Sequence, residues 1–330
     1  MTKVIRHKIK HDTVARLLRG ETYSTIANSL TDTFGFPVSR GAIAGIARDV
    51  KAGKLELGVV QTPPVLRQPL TYRYGIEEPN GGLPVFDGHP EIEVDRLLVI
   101  ADLHAPYSNY KFIEKLPRII RRHKIKHVLI AGDMIDGDSR HHKSRVRRAN
   151  MSEQFKAARD IIGYLLNDCG IDEIFMLPGN HDEWLAYDVY GEINVDDTLR
   201  LMIPDGLQDR VTPFLYDRVK VISGGEVWTI PHQAAASVDP LKVGRELALK
   251  FETNMITPHQ HLSALGFDKY NRYMVMSVGG LHNEKMMDYV QLNTTTMYNM
   301  NVGVAVLEDG RGILITPDAR QTNWRHYGGW

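Results

Sequence analysis

Apolar positions follow two different rhythms along the chain. In the first 54 residues they recur at helical spacing. Val14, Leu17 and Leu18 mark one face of a helix over 11–19 that Gly20 stops. Ile26, Ala27 and Leu30 mark a second helix over 23–30, and a turn follows through Thr33-Phe34-Gly35-Phe36-Pro37. Ser39 is suited to cap a third helix over 40–50 that turns Ile43, Ile46 and Ala47 inward. Two short helices, a glycine-containing turn and a third helix form a helix-turn-helix outline. A stretch with six prolines and the turn signal Asn80-Gly81-Gly82 then predicts a linker over 55–92.

From Arg96 onward, short continuous apolar runs alternate with helical ones. Residues 97–101, 127–131 and 173–177 read as buried strands, and 112–123 and 151–167 as helices. Pro117 either kinks the first of these helices or marks a late start. Apolar strands joined by helices predict a mostly parallel, covered sheet. Beyond Val219 the runs become strand-rich, at 219–222, 227–230, 255–257, 273–278, 302–307 and 312–315. The expected body is an α/β fold of two sheets packed together with helices outside, preceded by the small helical domain. This gives three parts: 1–54, 55–92 and 93–330.

Composition narrows the class. The 330 residues are 43% hydrophobic and 24% charged, as in an ordinary globular protein, which excludes a disordered or collagen-like chain. No apolar run approaches the ~20 residues of a membrane helix, and the N-terminus lacks a signal-peptide core. The single cysteine, Cys169, excludes an internal disulfide and a cysteine zinc cluster, and a cytoplasmic location is expected. The net charge of zero hides an imbalance. Residues 1–54 carry ten Lys/Arg against four acids, and this basic piece suggests an anionic partner.

The 14 histidines carry the chemistry. Strand ends run into Asp102-Leu103-His104, Gly132-Asp133-Met134-Ile135-Asp136, Gly179-Asn180-His181-Asp182, Pro231-His232 and Pro258-His259-Gln260-His261. Ligands bind at the C-terminal ends of strands in such sheets. Carboxylate, imidazole and amide oxygen suit Mn²⁺, Fe or Zn²⁺. Seven candidate donors (Asp102, His104, Asp133, Asn180, His232, His259 and His261) are too many for one ion and suit two sharing a carboxylate. Taken singly, Asp102 and Asp133 could be helix caps, and His259 and His261 a surface pair.

In this order the motifs DLH, GDMID, GNHD, PH and PHQH resemble those of the calcineurin-like metallophosphoesterases, over about residues 95–310. The resemblance implies a four-layer α/β/β/α sandwich with two divalent metals, Mn²⁺ foremost among Mn²⁺, Fe, Zn²⁺ and Ni²⁺. It also implies roles for individual residues. Asp102, His104 and His261 would hold one metal. Asn180, His232 and His259 would hold the other, with Asp133 bridging. His181 would act on the leaving oxygen beside Asp182, and Asp136 and Asp182 would orient histidines and loops. The family's glycine before the last His-x-His is Pro258 here, which puts the path of that loop in question. His282, after Gly279-Gly280-Leu281, competes with His232.

The expected function is a metal-dependent phosphoester hydrolase acting on a nucleic-acid phosphodiester. A basic run containing Arg140, His141, Lys143, Arg145, Arg147 and Arg148 would attract phosphates to the metals, although a solvated loop is the competing reading. Arg40, at the start of the third helix, would contact DNA. Such an N-terminal domain resembles the architecture of bacteriophage-encoded members. Two alternatives stand beside this: a phosphatase or phosphodiesterase for a small nucleotide or phosphoprotein, and a DNA-binding regulator with a phosphoesterase body as scaffold.

Overall fold

Alternation of side chains along the strands decides the layering. In β2 (Arg96–Ile100), Leu97 and Val99 face one side and Leu98 and Ile100 the other, and all four are fully buried. A strand buried on both faces has to lie in the middle of a sheet covered twice. The computed structural model describes residues 9–10, 12–14, 16–17, 20–52, 54, 88–137, 148–188, 193–232, 235, 237–287 and 300–317. It divides into two units, residues 1–86 and 87–330.

In the first unit, α1 (Tyr23–Phe34) is capped by Thr22 and ends at Gly35, whose φ of 68° is the left-handed value that glycine adopts freely. Helix α2 (Arg40–Lys51) starts at Ser39, whose hydroxyl accepts from the Ala42 N–H at 3.2 Å. Ile26, Leu30 and Ile43 are fully buried between the two helices, together with Ile9 and Val14 from the helical residues before them. Arg40 is exposed at the first position of α2. The expected linker lies outside the described residues over 55–87. Its last part is not linker, because β1 (Glu91–Glu93) pairs in parallel with β6 (Arg218–Ser223).

The second unit contains two six-stranded sheets. One runs in the order β12 (Arg311–Ile315), β11 (Val304–Glu308), β2, β3 (His127–Ala131), β4 (Glu173–Leu177), β5 (Val211–Pro213). Strands β2 to β5 are parallel. The other runs β1, β6, β7 (Glu226–Pro231), β8 (Asn254–Thr257), β10 (Met274–Ser277), β9 (Ala264–Phe267). Leu97, Val99, Leu129 and Phe175 of the first sheet share a core with Val221, Trp228, Ile256 and Met276 of the second. Leu98, Ile100, Val128 and Ile174 face the opposite way. They pack with α3 (Tyr110–Ile113), α4 (Leu116–His123), α5 (Met151–Gly163) and α7 (Val195–Leu201). Helix α8 (Lys242–Phe251) covers β8 and β10 through Ala248, Met255 and Val275. The layers are therefore helix, sheet, sheet, helix.

Two expectations change in detail. Pro117 lies in the first turn of α4, where its missing N–H costs no intrahelical bond, so it starts the helix rather than kinking it. The helix expected over 151–167 is regular only to Gly163, and a π turn over Tyr164–Asp168 closes it. No helix among the described residues is long and apolar enough to cross a membrane.

Candidate metal centre

Parallel strands of both sheets end on one side, and the polar loops follow there. Asp102 and His104 leave β2, Asp133 and Asp136 leave β3, and Asn180 opens α6 (Asn180–Asp188) after β4. His232 follows β7, and His259 and His261 follow β8. The loops are zipped by backbone bonds, from Asp102 N to Gly132 O at 3.0 Å and from His104 N to Asp133 O at 3.0 Å.

Five of these residues hold left-handed backbone: Asp102 (52°), His104 (46°), Asp133 (51°), His259 (78°) and His261 (53°). Such angles cost non-glycine residues about 1–3 kcal/mol each and persist where the surroundings impose them. In the loop whose path Pro258 put in question, the left-handed angle falls at His259. Proline cannot take a positive φ, so the next residue takes it and donates its N–H to Asp102 Oδ2 at 3.1 Å.

Asp133 is central. Its Oδ2 is 3.2 Å from His232 Nε2 and 3.9 Å from both His104 Nε2 and His181 Nε2. Its Oδ1 accepts the His181 N–H at 2.9 Å, and a Cβ on Gly179 would stand 2.1 Å from that oxygen. Asn180 lies between these two contacts. On one side His261 Nε2 is 3.0 Å from Asp102 Oδ1 and 3.4 Å from His104 Nε2. On the other, His232 and His259 stack edge to face with centroids 5.3 Å apart. His104, Asp133 and His181 could hold one ion between them, as could Asp133, His232 and His259. Asn180 Oδ1 and His259 Nδ1 are buried with no hydrogen bond among the described residues, while His232 Nε2 meets the Asp133 carboxylate at 3.2 Å. Buried polar atoms ordinarily have partners, so unbonded atoms on two of the candidate ligands fit a cation.

His232, rather than His282, stands beside Asp133. Its Nδ1 donates to Ala131 O at 2.7 Å, which aims Nε2 at the carboxylate. His282 lies on the far side, 4.2 Å from His261 between ring centroids. Asp136 Oδ1 lies 3.0 Å from His104 Nδ1. Asp182 accepts backbone N–H groups from Gly179, Ile135 and Met134, tying the second and third loops together. His181 donates from Nδ1 to Asp136 O at 2.7 Å and is braced by Trp184, 4.0 Å away between ring centroids.

Arg148 turns inward. Its Nη2 is 2.6 Å from Asp136 Oδ2, and the guanidinium lies 4.2 Å over the Tyr107 ring. It is not a rim cation, and the basic run gave no signal of that pairing. Arg140, His141, Lys143, Arg145 and Arg147 lie outside the described residues.

The charges are coupled. Burial opposes ionisation of Asp102 and Asp133, yet both carboxyls lie well below the usual range. The His261 imidazole holds Asp102 there, and His232 and then His181 hold Asp133. Burial would lower His232 and His104, but carboxylates outweigh it. Asp133 lifts His232 to about 10, and the bond to Asp136 raises His104. Burial takes His181 and His259 down to about 4. Burial, then the Asp133 charge, pushes Asp182 up to about 7 despite its three N–H donors. Protons on imidazoles thus balance two buried carboxylates, the charge that divalent cations would supply.

No curated protein matches the chain. Among solved structures, vacuolar protein sorting 29 from Cryptosporidium parvum is 17% identical, with a TM-score of 0.33, over 67% of this chain and 96% of its own. The nuclease MPE of Pseudomonas putida is 13% identical, with a TM-score of 0.30, over 66% of this chain and 87% of its own. The family model of the calcineurin-like phosphoesterases matches residues 95–265, a span that takes in all seven candidate donors. The chain is a member of the calcineurin-like phosphoesterase family.

Proposed function

We propose that the protein hydrolyses phosphodiesters of nucleic acid with two divalent cations, Mn²⁺ foremost. The observation that carries this reading is Asp133, buried between two groups of donors with one carboxylate facing both. Asp102, His104 and His261 would hold one cation, and Asn180, His232 and His259 the other, with Asp133 shared. Such a pair activates water and neutralises charge developing on phosphate oxygens.

The chain's own groups do the rest. Asp136 and the Ala131 carbonyl fix the His104 and His232 rings by their Nδ1 atoms, leaving each Nε2 directed inward. His181, held at Nδ1 by the Asp136 carbonyl, presents Nε2 to the site, with its side chain 12% exposed. The neutral ring has its one N–H at Nδ1, so His181 would protonate the leaving oxygen from its imidazolium form, passing on the Nε2 proton. The choice of nucleic acid rests on the basic N-terminal residues, where Lys10 and Arg40 are exposed. Phosphate contacts there would give salt-sensitive binding with little sequence preference.

The test is a side-by-side assay of bis-p-nitrophenyl phosphate, p-nitrophenyl phosphate and single-stranded DNA with Mn²⁺. Diester and DNA cleavage are expected, and loss of DNA binding but not of small-diester turnover when residues 1–54 are deleted. Preference for the monoester would favour a phosphatase. Loss of small-diester turnover in a folded truncation would overturn the division of labour.

A further inference from the structure

A third histidine stands at the Asp102 side of the centre, unused by the seven-donor scheme. His282 is 4% exposed, and its ring centroid is 4.2 Å from His261 and 5.5 Å from His104. One ring nitrogen from each of the three lies within 4.8 Å of the others. Its Nε2 rests on Met300 Sδ at 3.1 Å, and its Nδ1 is buried against the Asp102 backbone. Met300 Sδ is also 3.3 Å from His261 Nδ1, so a single thioether braces both rings.

The position is built into the backbone. Leu281 N donates to Ala101 O at 3.1 Å, Asn283 N donates to Tyr107 O at 2.7 Å, and Ser108 and His282 form an antiparallel bridge. The segment bearing His282 is therefore clamped on both sides to the loop bearing Asp102 and His104. Gly280 makes the approach possible, since a Cβ there would stand 2.2 Å from His282 Nδ1 and 3.2 Å from Asp102 Cβ. Burying a third imidazole against two others is unfavourable unless an opposite charge or a shared cation offsets their mutual repulsion and lost solvation.

We propose that His282 is an additional nitrogen donor to the cation held by Asp102, His104 and His261. This rests on the two-cation reading above. The two positions would then differ in kind. Three imidazoles with Asp102 and the shared Asp133 select borderline ions such as Co²⁺, Zn²⁺ or Fe²⁺ over Mg²⁺, while the Asn180 position has two imidazoles, an amide oxygen and the shared carboxylate.

Co²⁺ is the probe, added to chelator-treated full-length protein and followed by visible absorption and calorimetry. The wild type is expected to take two equivalents. His282→Ala should weaken one of them about tenfold or more and alter its d–d bands, leaving the other intact. His282→Gln, close in size and a poor donor, should do the same. The exchangeable ring N–H resonances of Co²⁺-loaded wild type should report five bound histidines (His104, His232, His259, His261 and His282) and need no variant to fold. A folded His282→Ala or His282→Gln with unchanged Co²⁺ affinities and bands, or four shifted resonances, overturns the proposal and leaves the two-cation reading standing. A wild type that takes up no Co²⁺ sinks both.

Discussion

Asp136 joins His104 to Arg148: one carboxylate oxygen lies 3.0 Å from His104 Nδ1 and the other 2.6 Å from Arg148 Nη2. His104 and Asp136 are both fully buried, so the imidazole cannot turn without stranding the carboxylate. Asp136→Asn keeps the shape and weakens the acceptor. Cation affinity measured by calorimetry is expected to fall about 10- to 100-fold. Arg148→Ala leaves the buried carboxylate without its counter-charge and should cost about 3–5 kcal/mol in urea unfolding. A loss below about 1 kcal/mol would place the pair among ordinary surface salt bridges.

Asp133 and His181 should separate cation binding from proton transfer. Asp133→Ala and Asn180→Ala are expected to reduce diester turnover to background with Mn²⁺ uptake impaired. His181→Ala should lower kcat by about 10²–10⁴-fold with Mn²⁺ uptake retained. Impaired Mn²⁺ uptake in His181→Ala would make this histidine a ligand instead.

Gly179 allows the closest approach in the centre. A Cβ there would stand 2.1 Å from Asp133 Oδ1 and 2.3 Å from Asp133 N, and the second of these is backbone that cannot swing away. Gly179→Ala is expected to lower stability by about 1–3 kcal/mol in thermal unfolding and to disturb cation uptake. A variant matching the wild type in both would mean that the two loops can separate at no cost.

His232 sets a proton balance. With its pKa lifted to about 10 beside Asp133, it is an imidazolium at neutral pH in the cation-free protein, and ligation requires the neutral ring. Cation binding at pH 8 should therefore release protons, seen as a calorimetric enthalpy that changes with the buffer's ionisation heat. Because the folded pKa lies above the ordinary 6.5, this pairing stabilises the cation-free fold fully below pH 6.5. The contribution is lost as pH rises through about 10. Buffer-independent enthalpies would show that no proton leaves.

Cys169 should be silent. Burial pushes its thiol up to about 11, so at pH 8 about one part in 10³ is thiolate. Ellman's reagent is expected to react only as the protein unfolds, with one equivalent per chain. Rapid reaction of the native protein would mean that the end of α5 opens readily.

Much of the body was legible along the chain. Strands β3 and β4 match the apolar runs 127–131 and 173–177 residue for residue, because a strand buried on both faces has to be apolar throughout. β1, β5 and β9 escaped notice. Glu91–Glu93 and Val211–Pro213 are three residues each, too short to show a period, and in Ala264–Phe267 the large apolar residues Leu265 and Phe267 are the exposed ones.

The positions of the candidate donors were legible for the same local reason, since each follows a strand end and the chemistry of Asp, Asn and His is written in the residue itself. Which donors meet was not. His232 and His282 both follow short apolar segments. The packing of one sheet on the other puts the first against Asp133, and the parallel pairing of β8 with β10 puts the second against His261. Nor does charge in the sequence say that Arg148 leaves its basic run for Asp136. Local pattern determines what each segment can bury and bind, while long-range packing decides which buried charges have to share a pocket.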